Sequence, residues 1–71
     1  MYEVSCRDLA PTDCDFDLMA FSLERLELGI VAHMRYEHPD VYTAAIGNRV
    51  SPERKALRER IAAAAREVAV A

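Results

Sequence analysis

The chain has 71 residues and a formal net charge of -3 at pH 7. A chain this short forms one small domain that buries about 60% of its unfolded surface, so it is marginally stable without a disulfide, a metal or a partner chain. The acidic balance argues against a dedicated nucleic-acid-binding protein, which usually carries a basic surface. No apolar run predicts a transmembrane helix, and residues 1–20 lack the basic-then-apolar pattern of a signal peptide. We therefore expect a cytoplasmic protein whose thiols stay reduced.

The charge is distributed unevenly along the chain. Residues 1–40 contain nine acidic and three basic residues, whereas residues 41–71 contain six basic and three acidic residues. The basic C-terminal part is therefore suited to an acidic partner, including the acidic part of a second copy.

Two alternating segments at the start of the chain predict an antiparallel β-hairpin. In residues 2–7 and 14–20, apolar and polar side chains alternate with the period of a half-buried strand. Residues 8–13 between them contain Pro11 and two aspartates, a composition typical of a loop. The predicted apolar face consists of Tyr2, Val4, Cys6, Cys14, Phe16, Leu18 and Ala20. Both cysteines are thus expected on that face, next to the loop.

Residues 22–38 predict the first helix. Ser22 is suited to the N-cap position. An apolar stripe recurs at helical spacing and consists of Leu23, Leu26, Ile30 and Met34. Leu28 and Val31 widen this apolar surface, and we expect a second contact there. Because Pro39 disfavours helical geometry at the residue before it, the helix should loosen at His38.

The rest of the chain predicts a connection and a second long helix. Residues 40–46 favour a short helical turn, and Gly47 and Asn48 are suited to end it. Residues 51–70 predict a helix, with Ser51 as the N-cap and Pro52 at the first helical position. Its apolar face consists of Leu57, Ile61, Ala64, Ala65 and Val68, and Arg54, Arg58 and Glu59 are expected to lie away from that face.

These elements predict an α+β fold in one domain over residues 1–71. Residues 1–38 form a ββα unit like that of a zinc finger, residues 39–50 connect it, and residues 51–70 add a C-terminal helix.

Four residues form the one pattern with a clear chemical meaning. Cys6, Cys14, His33 and His38 are spaced C-x7-C-x18-H-x4-H. Two cysteines on a hairpin followed by two histidines late in a helix match the order of ligands in a two-Cys two-His zinc finger. The histidine spacing lies within the usual range for such fingers, whereas the cysteine spacing is longer, so a longer hairpin loop is required.

Helix geometry sets one condition on this site. Residues five positions apart in a regular helix point roughly 140° apart. His33 and His38 therefore meet a common ion only if the helix distorts, and Pro39 lies where it would cause that distortion.

The same segments resemble a known family. Tyr2-Glu-Val-Ser-Cys-Arg-Asp8 and Asp13-Cys-Asp-Phe16, followed by a helix with two late histidines, are similar to a family of very small bacterial proteins described as predicted small metal-binding proteins. The resemblance covers roughly residues 2–38. It implies metal binding by Cys6, Cys14, His33 and His38, and it implies no established biochemical activity.

Other interpretations of these residues stay open. Cys6 and Cys14 are also suited to be inert core residues, a disulfide across the hairpin or a reactive thiol. His33 is also suited to be a partly buried helix residue, and His38 to be exposed at a helix end. The aspartates around the loop lack the glycine and closing glutamate of a calcium loop, so we interpret them as solvent-facing.

The pattern favours a structural zinc ion in a non-catalytic protein-binding or scaffolding module. Four protein ligands leave no open position for catalysis. The expected partner is another protein or a second copy, through the apolar surface of residues 26–34 or through the last helix. The alternatives are a metal-free accessory subunit of a larger assembly and a protein that handles metals or thiols.

Overall fold

The order of elements follows the alternating and helical patterns of the sequence. The computed structural model describes residues 1–9 and 14–69. Its elements are β1 (Tyr2–Ser5), a 3₁₀ turn (Cys6–Asp8), β2 (Asp17–Ala20), α1 (Leu23–Glu37), α2 (Ala44–Gly47), α3 (Pro52–Ala64) and β3 (Arg66–Glu67). The predicted α+β class is confirmed, with a hairpin, a helix and a C-terminal helix. None of the helices in these ranges has the length and apolar composition that crossing a membrane requires.

The sheet has three antiparallel strands in the order β2-β1-β3. β1 and β2 pair in the register Tyr2↔Ala20 to Ser5↔Asp17. The predicted alternation in residues 14–20 is confirmed, because the even-numbered residues are partly buried and the odd-numbered ones are exposed. The strands are shorter than expected, since Cys6 begins the 3₁₀ turn and Cys14 precedes β2. Most of the predicted loop, including Pro11 and Asp13, lies outside the described residues.

The caps of both long helices lie where the sequence predicts them. The Ser22 hydroxyl accepts a hydrogen bond from the Arg25 N–H, and the Ser51 hydroxyl accepts one from the Arg54 N–H. Such caps satisfy backbone donors that the first turn of a helix leaves free. Both helices therefore begin with an ordered first turn.

The helix predicted over residues 51–70 ends earlier than expected. α3 stops at Ala64, and Ala65 has extended backbone angles (φ -65°, ψ 138°). The chain then adds β3 to the free edge of β1, with the register Glu3↔Arg66, and the Val68 N–H donates to the Met1 carbonyl at 2.7 Å. Sheet pairing here provides hydrogen bonds to the backbone N–H and C=O groups that a further helical turn would otherwise have paired. Residue 70 lies outside the described ranges.

The core lies where α1 packs between the sheet and α3. Its buried members are Val4, Leu9, Leu26, Ile30, Met34, Leu57 and Ile61. The predicted stripe of α1 is thus mostly internal, and Leu23 at its start is exposed. Because Leu26, Ile30 and Met34 are used within the chain, the surface expected over residues 26–34 offers a partner chiefly Leu28.

Candidate metal centre

Cys6, Cys14, His33 and His38 come together at one end of the sheet. One potential ligand atom from each residue lies within 4.8 Å of the other three. A tetrahedral zinc site with its usual bond lengths has ligand-to-ligand distances of about 3.3–3.8 Å. The Cys14 Sγ atom lies 3.4 Å from His33 Nε2, which is already within that range. The four residues therefore lie close enough to hold a metal ion after a small contraction.

Two backbone hydrogen bonds fix the position of Cys6. Its N–H donates to the Phe16 carbonyl at 2.9 Å, and its carbonyl accepts from the Leu9 N–H at 3.0 Å. The first bond continues the β1–β2 ladder by one step, and the second closes the 3₁₀ turn. The Cys6 side chain is fully buried as a result.

Cys14 lies on the other side of the hairpin. It lies three residues before β2, and its side chain is half-buried. The structure describes both cysteines as free thiols. Their closeness matches the prediction that both lie at the neck of the hairpin, although neither lies within a strand.

His33 is positioned by an aromatic contact. The ring of Phe16 stacks on the imidazole of His33, with ring centroids 3.9 Å apart and planes 7° apart. This contact holds the His33 ring flat against the hairpin and leaves its Nε2 atom next to Cys14. Burial and the nearby charge of His38 lower the pKa of His33, while Glu37 acts to raise it. The neutral imidazole that a metal requires is thereby favoured.

His38 reaches the cluster because α1 ends there. His38 is the C-cap of α1, with φ -132° and ψ 61°, and Pro39 follows it. The predicted loosening of the helix is confirmed. The two imidazoles meet edge to face, with centroids 4.9 Å apart and an interplanar angle of 76°. A single non-helical residue, His38, therefore brings together two rings that would point away from each other in a regular helix.

The Nε2 atom of His38 shows that the donor set fits a metal. This atom is buried and has no hydrogen-bond partner among the described residues. A buried polar nitrogen without a partner is costly, on the order of 1–3 kcal/mol. A cation bound among the four residues would satisfy it.

The electrostatics of the thiols support the same interpretation. Burial raises the pKa of Cys6 to about 11, and the charge of Cys14 and a hydrogen bond with it act in the same direction. The Cys6 thiol therefore stays protonated at neutral pH. A divalent cation reverses this balance, because it stabilises adjacent thiolates.

The sequence patterns did not predict a buried cluster of charged residues on α1 and α3. The Arg54 Nε atom donates to Glu27 at 2.6 Å and the Arg58 Nε atom donates to it at 2.8 Å, while Arg54 also donates to the Ile46 carbonyl at 2.8 Å. The expectation that Arg54 lies away from the apolar face is wrong, because its side chain is buried. The helical spacing does indicate this burial. Arg54 lies three residues before Leu57 and seven before Ile61, and so shares their face.

The described aspartates near the loop do not join the metal candidate. Asp8, Asp15 and Asp17 are exposed, and Asp15 pairs with Arg7 at 3.3 Å on the surface. This agrees with their interpretation as solvent-facing residues. The four-residue cluster thus consists of thiols and imidazoles alone.

No protein-family model, curated protein or solved structure matches this chain. The resemblance to small bacterial metal-binding proteins therefore stays a prediction based on the motifs quoted above.

Proposed function

We propose that the protein binds one zinc ion through Cys6, Cys14, His33 and His38, and that this ion is structural. The observation that carries the proposal is the convergence of four soft donor atoms within 4.8 Å, one of them the unpartnered, buried Nε2 of His38. Two thiolates and two imidazoles are a ligand set that zinc prefers. All four positions of a tetrahedral ion are then filled by protein, so no position is left for a substrate or an activated water.

The size of the domain explains why a metal is useful here. Within residues 1–9 and 14–69 the core consists of seven buried apolar residues besides Cys6, which is a thin core for a small domain. A structural zinc ion supplies binding free energy on the order of 10 kcal/mol, and this energy also stabilises the fold. We propose that the ion ties the neck of the hairpin to the end of α1, and that the resulting module binds protein without catalysis.

Elemental mass spectrometry on protein purified without chelator tests the zinc site. We expect one zinc ion per chain, and a melting temperature that falls sharply when EDTA removes it. The double variant Cys6→Ser/Cys14→Ser should lose both the metal and the response to EDTA. Protein that contains no metal and melts at the same temperature with EDTA would overturn the proposal and favour a metal-free accessory subunit.

Partial exposure of three of the four residues favours a second candidate function. Cys14, His33 and His38 are each only half-buried as residues, whereas Cys6 is fully buried. A site formed by partly exposed residues exchanges its metal more readily than a fully enclosed one, as in a protein that transfers metal to another. Fast transfer of zinc to a colorimetric chelator in the folded protein would support this function, whereas transfer only on unfolding would support the structural role.

A further inference from the structure

The outer edge of β2 is a free hydrogen-bonding surface. β2 lies at one end of the sheet order β2-β1-β3, and no described strand pairs with its other side. The Cys6 N–H donates to the Phe16 carbonyl, and the register then makes Val4↔Leu18 and Tyr2↔Ala20 the next bonded pairs. Residues alternate in such a ladder, so the backbone N–H and C=O groups of Asp17 and Met19 point away from β1.

Two of the features by which proteins usually protect an edge strand are missing from this edge. Residues 15–21 contain no proline and no lysine, the residues that commonly discourage pairing. Met19 has 47% of its surface exposed and Phe21 has 72%. Exposed apolar residues beside unpaired backbone groups form a template for another strand.

We infer that two copies of the chain pair through antiparallel β2 strands to form a continuous six-stranded sheet. A twofold axis at Met19 places this residue opposite Met19 of the second copy. Asp17 then lies opposite Phe21 of the second copy, and Leu18 opposite its Ala20. This register matches the ladder, because Asp17 and Met19 are the positions of β2 whose backbone groups point outward.

The charge of β2 fits pairing with a second copy. Asp17 is the only charged residue within β2, and the twofold register keeps the two Asp17 carboxylates away from each other. On the core side, Gly29 of α1 lies directly against the Leu18 side chain, so α1 covers that face of β2 and leaves its outer edge open.

Sedimentation equilibrium of the metal-containing protein tests this interface. We expect a mass twice that of the 71-residue chain for the wild type, and a shift to the single-chain mass for Met19→Lys, which would place two lysines face to face. Val50→Lys is the matched control, because Val50 is 88% exposed and lies between α2 and α3, away from β2. This control should remain a dimer.

Amide hydrogen exchange gives a second readout at single residues. The Met19 N–H should be protected in the wild type and should exchange faster on dilution or in Met19→Lys, while the Val4 and Leu18 amides within the hairpin stay protected in both. A wild-type protein that sediments as a single chain would overturn the inference, and so would a Met19→Lys variant that remains a dimer. The zinc content of each sample is measured in parallel, so failure of the metal site is seen separately from failure of the interface.

Discussion

The ring of Phe16 lies flat against the imidazole of His33, 3.9 Å between centroids. Phe16 also provides the carbonyl that accepts the Cys6 N–H. One residue of the hairpin therefore orients two of the four proposed ligands, one through its side chain and the other through its backbone. The proposed metal centre depends on the hairpin as much as on the donor atoms.

Replacing Phe16 should weaken zinc binding without removing a ligand. Phe16→Leu keeps an apolar side chain in the partly buried position but removes the flat surface against which His33 stacks. Residues that orient a ligand commonly change metal affinity 10- to 100-fold, and we expect a decrease of about tenfold. Competition with a chromophoric chelator measures the affinity.

The matched control for this experiment is Phe21→Leu, because Phe21 is exposed and makes no contact with the cluster that the structure describes. Equal zinc affinities for Phe16→Leu and Phe21→Leu would show that the stack does not position His33.

Pro39 should matter through the backbone of His38. His38 leaves the helix at φ -132° and ψ 61°, and a following proline disfavours the helical alternative. Pro39→Ala permits His38 to continue α1, which would turn its ring away from Cys14 and His33. We expect zinc affinity to fall about two- to fivefold, the factor that corresponds to 0.4–1 kcal/mol for a proline that restricts the unbound chain.

Pro52→Ala provides the comparison, because Pro52 begins α3 and lies at the other end of the chain from the cluster. Its zinc affinity should equal that of the wild type. If Pro39→Ala also bound zinc with unchanged affinity, the distortion at His38 would have to come from the ligand set and not from the proline.

The buried cluster of Glu27 and Arg54 gives a prediction on stability. Arg54→Met leaves Glu27 buried with only Arg58, and loss of a buried hydrogen bond to a charged group costs about 1.5–3 kcal/mol. The double variant Glu27→Leu/Arg54→Met removes both charges and should be more stable than Arg54→Met alone. Urea unfolding measures the free energies.

Lys55→Met is the control for the arginine substitution, because Lys55 is the exposed neighbour of Arg54 on α3. It should change stability by no more than about 0.5 kcal/mol. A double variant less stable than Arg54→Met would contradict the interpretation that the single variant suffers because a buried carboxylate has lost one of its two arginines.

Local patterns explain why much of this fold was predictable. The alternation around Cys14 and Phe16 and the caps at Ser22 and Ser51 are encoded within a few residues. The closeness of Cys6, Cys14, His33 and His38 was also predictable, since their order matches that of a two-Cys two-His zinc finger and Pro39 ends the helix at His38. The alternation, the caps and the effect of Pro39 are local signals that need no knowledge of the rest of the fold.

The features that were missed depend on tertiary contacts. Arg66–Glu67 forms a strand only because the free edge of β1 lies beside it, although an alanine-rich segment favours a helix. The burial of Arg54 depends on Glu27, 27 residues earlier, to compensate its charge. The stacking of Phe16 on His33 likewise joins elements that are distant in sequence.

Acid should weaken the fold through Glu27. Burial acts to raise the pKa of Glu27, but hydrogen bonds from Arg58 and Arg54 and their positive charges outweigh it and lower the pKa below its ordinary value of 4.5. A carboxylate whose pKa is lowered by folding stabilises the protein above its unfolded pKa, and this stabilisation is lost as the pH falls through the folded pKa. We therefore expect the contribution of Glu27 to be full near neutral pH and to disappear progressively below about pH 4.5.

Comparison with Glu27→Gln isolates this effect. Both proteins contain the same four proposed ligands, so loss of metal in acid affects both and cancels in the difference between their free energies of unfolding. That difference should be largest from about pH 6 to 7 and should shrink steadily toward about pH 3, because Glu27 becomes neutral like glutamine. A difference that stayed constant over this range would mean that the carboxylate and its two arginines contribute no pH-dependent stability, and that Glu27 is retained for its shape.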